Sequence, residues 1–270
     1  MRWLRRLATC FALAALLGLA GCSGLSLAYN QLPLLAGFWA DRYLDLDGDQ
    51  RRLLGQQLRA WHDWHRREEL PRWVALLEQA QAALDGGVSK DELLALEQGA
   101  RASAERCLQR AAPLAAPLLA SLQPAQWQHL QHRLAQRLDD WHEEQAGPDA
   151  PELRAEQYGD QLSRWLGPLE RPARRQARAD AQAWQVDVQA LGQARAARHA
   201  QTVEALRAWS RQDLAGGTAL LMGNTLTQPA EQAYREQVTG SLLKLLNGLS
   251  PGDRERVRGH WADWAAQLRR

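Results

Sequence analysis

A chain of 270 residues with no isoleucine and few valines has little to build strands from. β-Branched side chains suit a pleated, half-buried sheet surface, and here they are nearly missing. Leucine, alanine, arginine and glutamine are abundant instead, and these lose little freedom on entering a helix. The composition predicts an all-α fold, an elongated bundle of about eight or nine amphipathic helices joined by short turns.

Four stretches begin alike: Leu46-Asp47-Gly48-Asp49-Gln50, Leu122-Gln123-Pro124-Ala125-Gln126, Leu166-Gly167-Pro168-Leu169-Glu170 and Leu249-Ser250-Pro251-Gly252-Asp253. Each puts a leucine four residues before Gln, Glu or Asp, with a turn residue between. That spacing reads as a helix start. Asp47 and Ser250 are N-caps, Gln50 and Asp253 are their capping-box partners, and Pro124 and Pro251 fit a first turn. The leucine before the cap acts as a hydrophobic staple. Ser89 with Glu92 is a further capping box, opening a helix that Pro113 and Pro117 should kink or stop.

Apolar residues recur at spacings of three and four in Trp127, Leu130, Leu134, Leu138 and Trp141, and again in Val257, Trp261, Trp264 and Leu268. These are core-facing stripes, and core packing is the expected role of most tryptophans. Breaks are expected at Leu70-Pro71, Gly86-Gly87, Gly147-Pro148, Gly167-Pro168, Gly216-Gly217 and residues 248–252. The best boundary, at 147–151, divides the chain into halves 22–146 and 147–270 of one continuous helical domain.

The N-terminus carries an address. Arg2, Arg5 and Arg6 precede an apolar run over residues 7–20, which at 14 residues suits a signal peptide and is too short to span a bilayer. The order Leu19-Ala20-Gly21-Cys22 then matches a bacterial lipobox: residues 1–21 form the signal peptide, cleavage falls before Cys22, and lipid is added to that thiol. Ser23 follows, where an aspartate would resemble the inner-membrane retention signal. The expected location is therefore the outer membrane, facing the periplasm. The covalent lipid on Cys22 is the one attached group expected, with no cofactor besides.

Removing the signal leaves 249 residues carrying 30 basic and 31 acidic side chains. Near-neutrality gives no electrostatic case for nucleic acid. Cys107 would be the one thiol left besides Cys22, so no intramolecular disulfide is expected. It reads as a small buried residue.

The densest polar cluster runs from Trp61 to Pro71. His62, His65 and Glu69, at spacings of three and four, point to one side of a helix and could offer two nitrogens and a carboxylate to a metal. A charged face with local pairs, Arg66 with Glu69 or Asp63 with Arg67, is the plainer alternative. Asp45-Leu46-Asp47-Gly48-Asp49 fails the calcium-loop template, because Gln50 stands where glycine is required and Gln56 where the bidentate glutamate belongs. No nucleophile elbow, phosphate-binding loop or Cys-x-x-Cys occurs. An enzyme is disfavoured. Residues 171–211 carry eight arginines against three acids, and Arg171, Arg174, Arg175, Arg178, Arg195 and Arg198 are the candidate interaction surface. They are expected either to face lipid phosphates or acidic polymers, or to pair with acids as a solvated helical hairpin.

With Cys22, Leu27-Ala28-Tyr29-Asn30, the run from Trp39 to Leu46 and that from Trp61 to Pro71 in view, the chain resembles the Gram-negative lipoprotein family catalogued as domain of unknown function 6279. The specific segments cover residues 22–73, and helical texture carries the rest. The resemblance implies an all-helical, membrane-anchored envelope protein and supplies no catalytic residues. The Leu-x-x-x-Gln starts are also similar to the Leu-Thr-x-x-Gln motif of small helical periplasmic chaperones, with Asp47 and Gln123 in place of the threonine. The expectation is a non-enzymatic interaction or scaffold protein of the envelope with a protein partner. The alternatives are a chaperone-like binder of unfolded envelope proteins and a metal-dependent hydrolase on His62, His65 and Glu69.

Overall fold

Side-chain caps set most of the helix boundaries. The computed structural model describes residues 28–223 and 228–269, so residues 1–21 and the lipidation site Cys22 lie outside the described residues. Within them the chain forms eleven α-helices and no strand. These are α1 (Leu32–Leu44), α2 (Gly48–Trp64), α3 (Leu70–Gly86), α4 (Lys90–Ala120), α5 (Pro124–Ala146) and α6 (Ala150–Leu166). They continue as α7 (Arg171–Gln182), α8 (Val188–Ser210), α9 (Leu214–Gly223), α10 (Pro229–Asn247) and α11 (Pro251–Leu268), and a π-helical segment, His65–Glu69, joins α2 to α3.

Eleven corrects the expected eight or nine, for a physical reason. Two of the breaks, at 183–187 between α7 and α8 and at 211–213 between α8 and α9, contain no glycine or proline, and at the second Gln212 takes the left-handed region at φ 67°. Neither announces a stop as glycine does. Other expected breaks do not occur. Pro113 and Pro117 lie within α4, which runs unbroken for 31 residues. Both prolines are exposed while Ala112, Ala116, Leu118 and Leu119 are buried, so the carbonyls they leave unpaired face water and the packed face holds the helix. Gly216 and Gly217 lie inside α9.

Three of the four similar starts open helices as expected. Asp47 caps α2 in a capping box with Gln50, Gln123 caps α5 in one with Gln126, and the Ser250 side chain accepts from the Asp253 amide. The fourth is a correction: Leu166 ends α6, and α7 begins only at Arg171. The starts also meet in pairs. Gln50 Nε2 donates to Gln126 Oε1 at 3.2 Å, and Gln126 Nε2 returns a bond to Gln50 Oε1 at 2.7 Å. Each amide also donates to the other loop's backbone, Gln50 to the Ser121 carbonyl and Gln126 to the Asp45 carbonyl. At the second node the Glu170 amide donates to Asp253 at 2.9 Å, and Arg256 bridges both carboxylates at 2.8 and 2.7 Å. Leu46, Leu122, Leu166 and Leu249 are all buried at these nodes. A double-mutant cycle on Gln50→Ala and Gln126→Ala should give a coupling of about 1–2 kcal/mol in urea unfolding; additive losses would show that the pair does not act as a unit.

Two cores result. One joins Leu44 and Leu46 to Leu118 and Leu119 of α4, Leu130 of α5, and Val203 and Trp209 of α8. The other joins Leu84 of α3 to Tyr158 and Leu162 of α6, Trp184 beyond α7, Leu245 of α10, and Val257 and Trp261 of α11. Each core thus draws residues from both sides of the 146/147 division. Trp184 donates to Ser241 Oγ, Trp209 to the Leu214 carbonyl and Trp261 to the Trp165 carbonyl, so these buried indoles keep their polar atom satisfied.

Candidate functional site

Among the described residues one π-helical segment occurs, and it falls on the cluster between Trp61 and Pro71. Proline at position 71 has no N–H, and its ring crowds the carbonyl four residues earlier. The ladder widens by one residue to accommodate it: the Leu70 amide reaches back to the His65 carbonyl, five residues away. Such π turns recur at functional sites.

The widened turn directs Glu69 inward against α4. The carboxylate is 1 % exposed and is held by Arg106, Nε to Oε1 at 2.6 Å and Nη2 to Oε2 at 3.0 Å, and by Ser103 Oγ at 2.8 Å. Arg72 Nη1 stands at 3.8 Å. Burial alone would push the Glu69 carboxyl up, and the Arg106 and Ser103 bonds outweigh it, holding the group below its ordinary value. Both histidines are committed to Tyr29. His65 Nδ1 lies 2.9 Å from the Tyr29 hydroxyl, and His62 Nε2 lies 3.0 Å from the Tyr29 carbonyl. The imidazole of His65 also stacks on Trp61, whose N–H donates to the Cys107 carbonyl. Burial lowers the His65 pKa, with the Glu69 charge opposing it.

The structure therefore keeps His62, His65 and Glu69 on one helical stretch and sends their polar atoms to different partners. Among the described residues no group of three or more His, Cys, Asp and Glu is placed to hold a metal ion. Sequence reasoning missed Ser103, Arg106 and Tyr29 as the residues that hold this cluster. The first two sit more than 30 residues away on a separate helix, where no local spacing marks them. Tyr29 lay within a segment that carried the family resemblance, and that was its signal.

Beside the π turn, α1, α2 and α4 enclose an open groove of about 340 Å³. Leu32 and Ala36, Leu58 and Trp61, and Leu114 and Leu118 form its walls, with His62 at the π-turn end and Gln57 beside it. Its lining offers apolar contact and almost no polar partner.

The expected arginine surface divides into two places. Arg171, Arg174, Arg175 and Arg178 border a cleft of about 630 Å³ between α6 and α7, opposite Glu156 and Asp160. Arg178 pairs with Glu152, while the other three have no ion pair among the described residues. Arg195 and Arg198 line a different cleft, of about 340 Å³, with Glu231 and Tyr234. There Arg195 lies 4.5 Å over the Trp141 ring, and Arg198 pairs with buried Glu231. The expected hairpin is also corrected: α7 packs on α6 and α10, whereas α8 packs chiefly on α4, α5 and α9. The large buried faces of those helices, not the charges, set their partners.

Acid should act on the protein in two stages. His65 and His199, both lowered by burial, take up protons less readily folded than unfolded. Their stabilisation is full above pH 6.5 and is lost as pH falls below it. Glu69 and Asp253 are held below their ordinary values of 4.5 and 3.8, so their stabilisation is present above those values and is lost as pH falls through them. Thermal melts should show a shallow fall in Tm beginning near pH 6.5 and a steeper one below pH 4.5. His65→Gln with His199→Gln should remove the first stage only. A Tm that holds constant from pH 7 to pH 5 would contradict the first assignment.

Fold and site together define an all-helical protein with an apolar groove between α1, α2 and α4 and with buried carboxylates ion-paired across its helices. Residues 42–232 match the Family of unknown function (DUF6279), and the chain belongs to that family. No curated protein and no solved structure matches it.

Proposed function

We propose that the protein is a lipid-anchored lipoprotein of the outer membrane, facing the periplasm, and acts without catalysis as a helical scaffold for an envelope partner. The observation that carries the tether is the lipobox Leu19-Ala20-Gly21-Cys22 behind an arginine-bearing apolar run. No described helix is long and apolar enough to cross a membrane. Lipoproteins resembling this one carry three acyl chains, each buried methylene adding about 0.8 kcal/mol, which makes the anchor effectively permanent. Support for the interaction role comes from the groove between α1, α2 and α4, shaped for an apolar segment. The hydrolase alternative is set aside because Glu69, its expected carboxylate, is bound on both oxygens by Arg106.

A second reading, a chaperone-like binder of unfolded envelope proteins, is motivated by the same groove and by the likeness of the Leu46–Gln50 and Leu122–Gln126 starts to a periplasmic-chaperone motif. The anchor is tested by the mass of the chain recovered from membranes. It should begin at Cys22 and exceed the bare polypeptide by three acyl groups and a glycerol. A mass equal to the bare polypeptide would overturn the anchor. The role is tested by capture of the groove's occupant in cells.

A further inference from the structure

We infer that the exposed face of α1 lies on the lipid surface, so that the protein is held by its fold as well as by its anchor. Helix α1, Leu-Pro-Leu-Leu-Ala-Gly-Phe-Trp-Ala-Asp-Arg-Tyr-Leu, is apolar on nearly every side. The protein covers only one of them, where α1 packs on α2 and α5. Leu34, Leu35, Phe38 and Trp39 remain 69, 49, 66 and 52 % exposed. Five of the six large exposed apolar side chains among the described residues sit on this one helix. Residues 34, 35, 38 and 39, extended by Arg42, form a single stripe at spacings of three and four. A helix apolar all round belongs in a core or a membrane, and a contiguous apolar patch marks an interaction surface.

Position says which surface. Leu32 is ten residues beyond Cys22, so α1 begins at most about 35 Å along the chain from the anchor. Bilayer is therefore always within its reach, at an effective concentration no dissolved partner matches. The edge of the stripe has interfacial chemistry. Trp39 stacks against Tyr43 at 6.5 Å, Arg42 lies 5.9 Å over the Trp39 ring, and Arg137, Asp139 and Asp140 share the adjoining cleft. Tryptophan and tyrosine settle at headgroup level, and guanidinium beside carboxylate suits a headgroup carrying both phosphate and ammonium. The orientation rests on the lipid anchor proposed above, whereas the exposed stripe stands without it.

The test uses residues 22–270 carrying Cys22→Ser, which bears no lipid, with vesicles of phosphatidylethanolamine and phosphatidylglycerol. The chain should sediment with the vesicles, and Leu34→Gln with Phe38→Gln should weaken partitioning about tenfold or more. Both side chains are exposed, so helicity and Tm should stay unchanged. Brominated lipid should quench tryptophan emission, and Trp39→Phe should remove most of that quenching. Equal partitioning of the two forms would overturn the inference. So would a dimer in solution that the Gln variant dissolves without any vesicle binding, since a second copy would then be the occupant. Failure of the anchor is read separately: an unmodified Cys22 in chain recovered from cells, with vesicle binding intact, removes the anchor and leaves the docking face standing.

Discussion

Glu69→Ala is expected to destabilise the protein by about 3–5 kcal/mol, a large part of a typical domain's stability. The carboxylate is buried, doubly bonded by Arg106 and bonded by Ser103, so its removal leaves a guanidinium and a hydroxyl facing a cavity. Arg106 is a third exposed, so water reaches it and the lower end of the range is the better guide. Glu69→Gln should lose less, because an amide fills the space and still accepts from Ser103. Glu69→Leu with Arg106→Met should recover most of the loss, since a buried ion pair replaced by apolar groups of like size is often neutral. Ser103 can then turn its hydroxyl to a carbonyl of its own helix. Urea midpoints read by tryptophan fluorescence would decide it. A loss under 1 kcal/mol for Glu69→Ala would show that the π turn is not fastened to α4 through this residue.

The second large effect is expected at Gly217. Alanine would ordinarily favour a helix interior by about 1 kcal/mol. Here a Cβ would stand 2.6 Å from the Ala205 carbonyl oxygen and 2.7 Å from Trp209 Nε1. The first neighbour is backbone, and the second is a buried indole tied to the Leu214 carbonyl. Neither can yield without parting α8 from α9. Gly217→Ala should cost about 1–3 kcal/mol net, the range for overpacked interiors, and Gly217→Val more. Gly223→Ala, whose nearest neighbour lies at 4.0 Å, is the control and should be neutral or slightly stabilising. Equal stability of the two variants would contradict the close approach.

Gly217 also shows where the sequence runs out. A glycine pair reads as a break, yet the same residue is needed wherever two helices approach closely, and spacing does not separate the two uses. The helix starts were legible because capping is local: Asp47 with Gln50 and Ser89 with Glu92 act within four residues. What the starts do in space was not legible, since Gln50 meets Gln126 across 76 residues. Leu166 was misread for a related reason: it closes α6, while the Glu170 amide goes to Asp253 and its carboxylate to Arg256. In the site, the residues of the π turn stood out by density, while Arg106 and Ser103 did not, because a tertiary partner leaves no trace in neighbouring positions. The arginines of 171–211 read as one surface because they are near in sequence; burial of α8 against α4 and α9 separates them.

The interaction role is tested most directly at the groove. A photo-crosslinking residue at Leu114, on the α4 wall, would be activated in intact cells carrying the full chain. One partner captured in near-equal amount, and lost when Leu58→Glu puts a charge in the groove, is the expected result. A broad spread of unfolded envelope proteins would move the assignment to the chaperone reading. No protein captured above background would contradict the scaffold account.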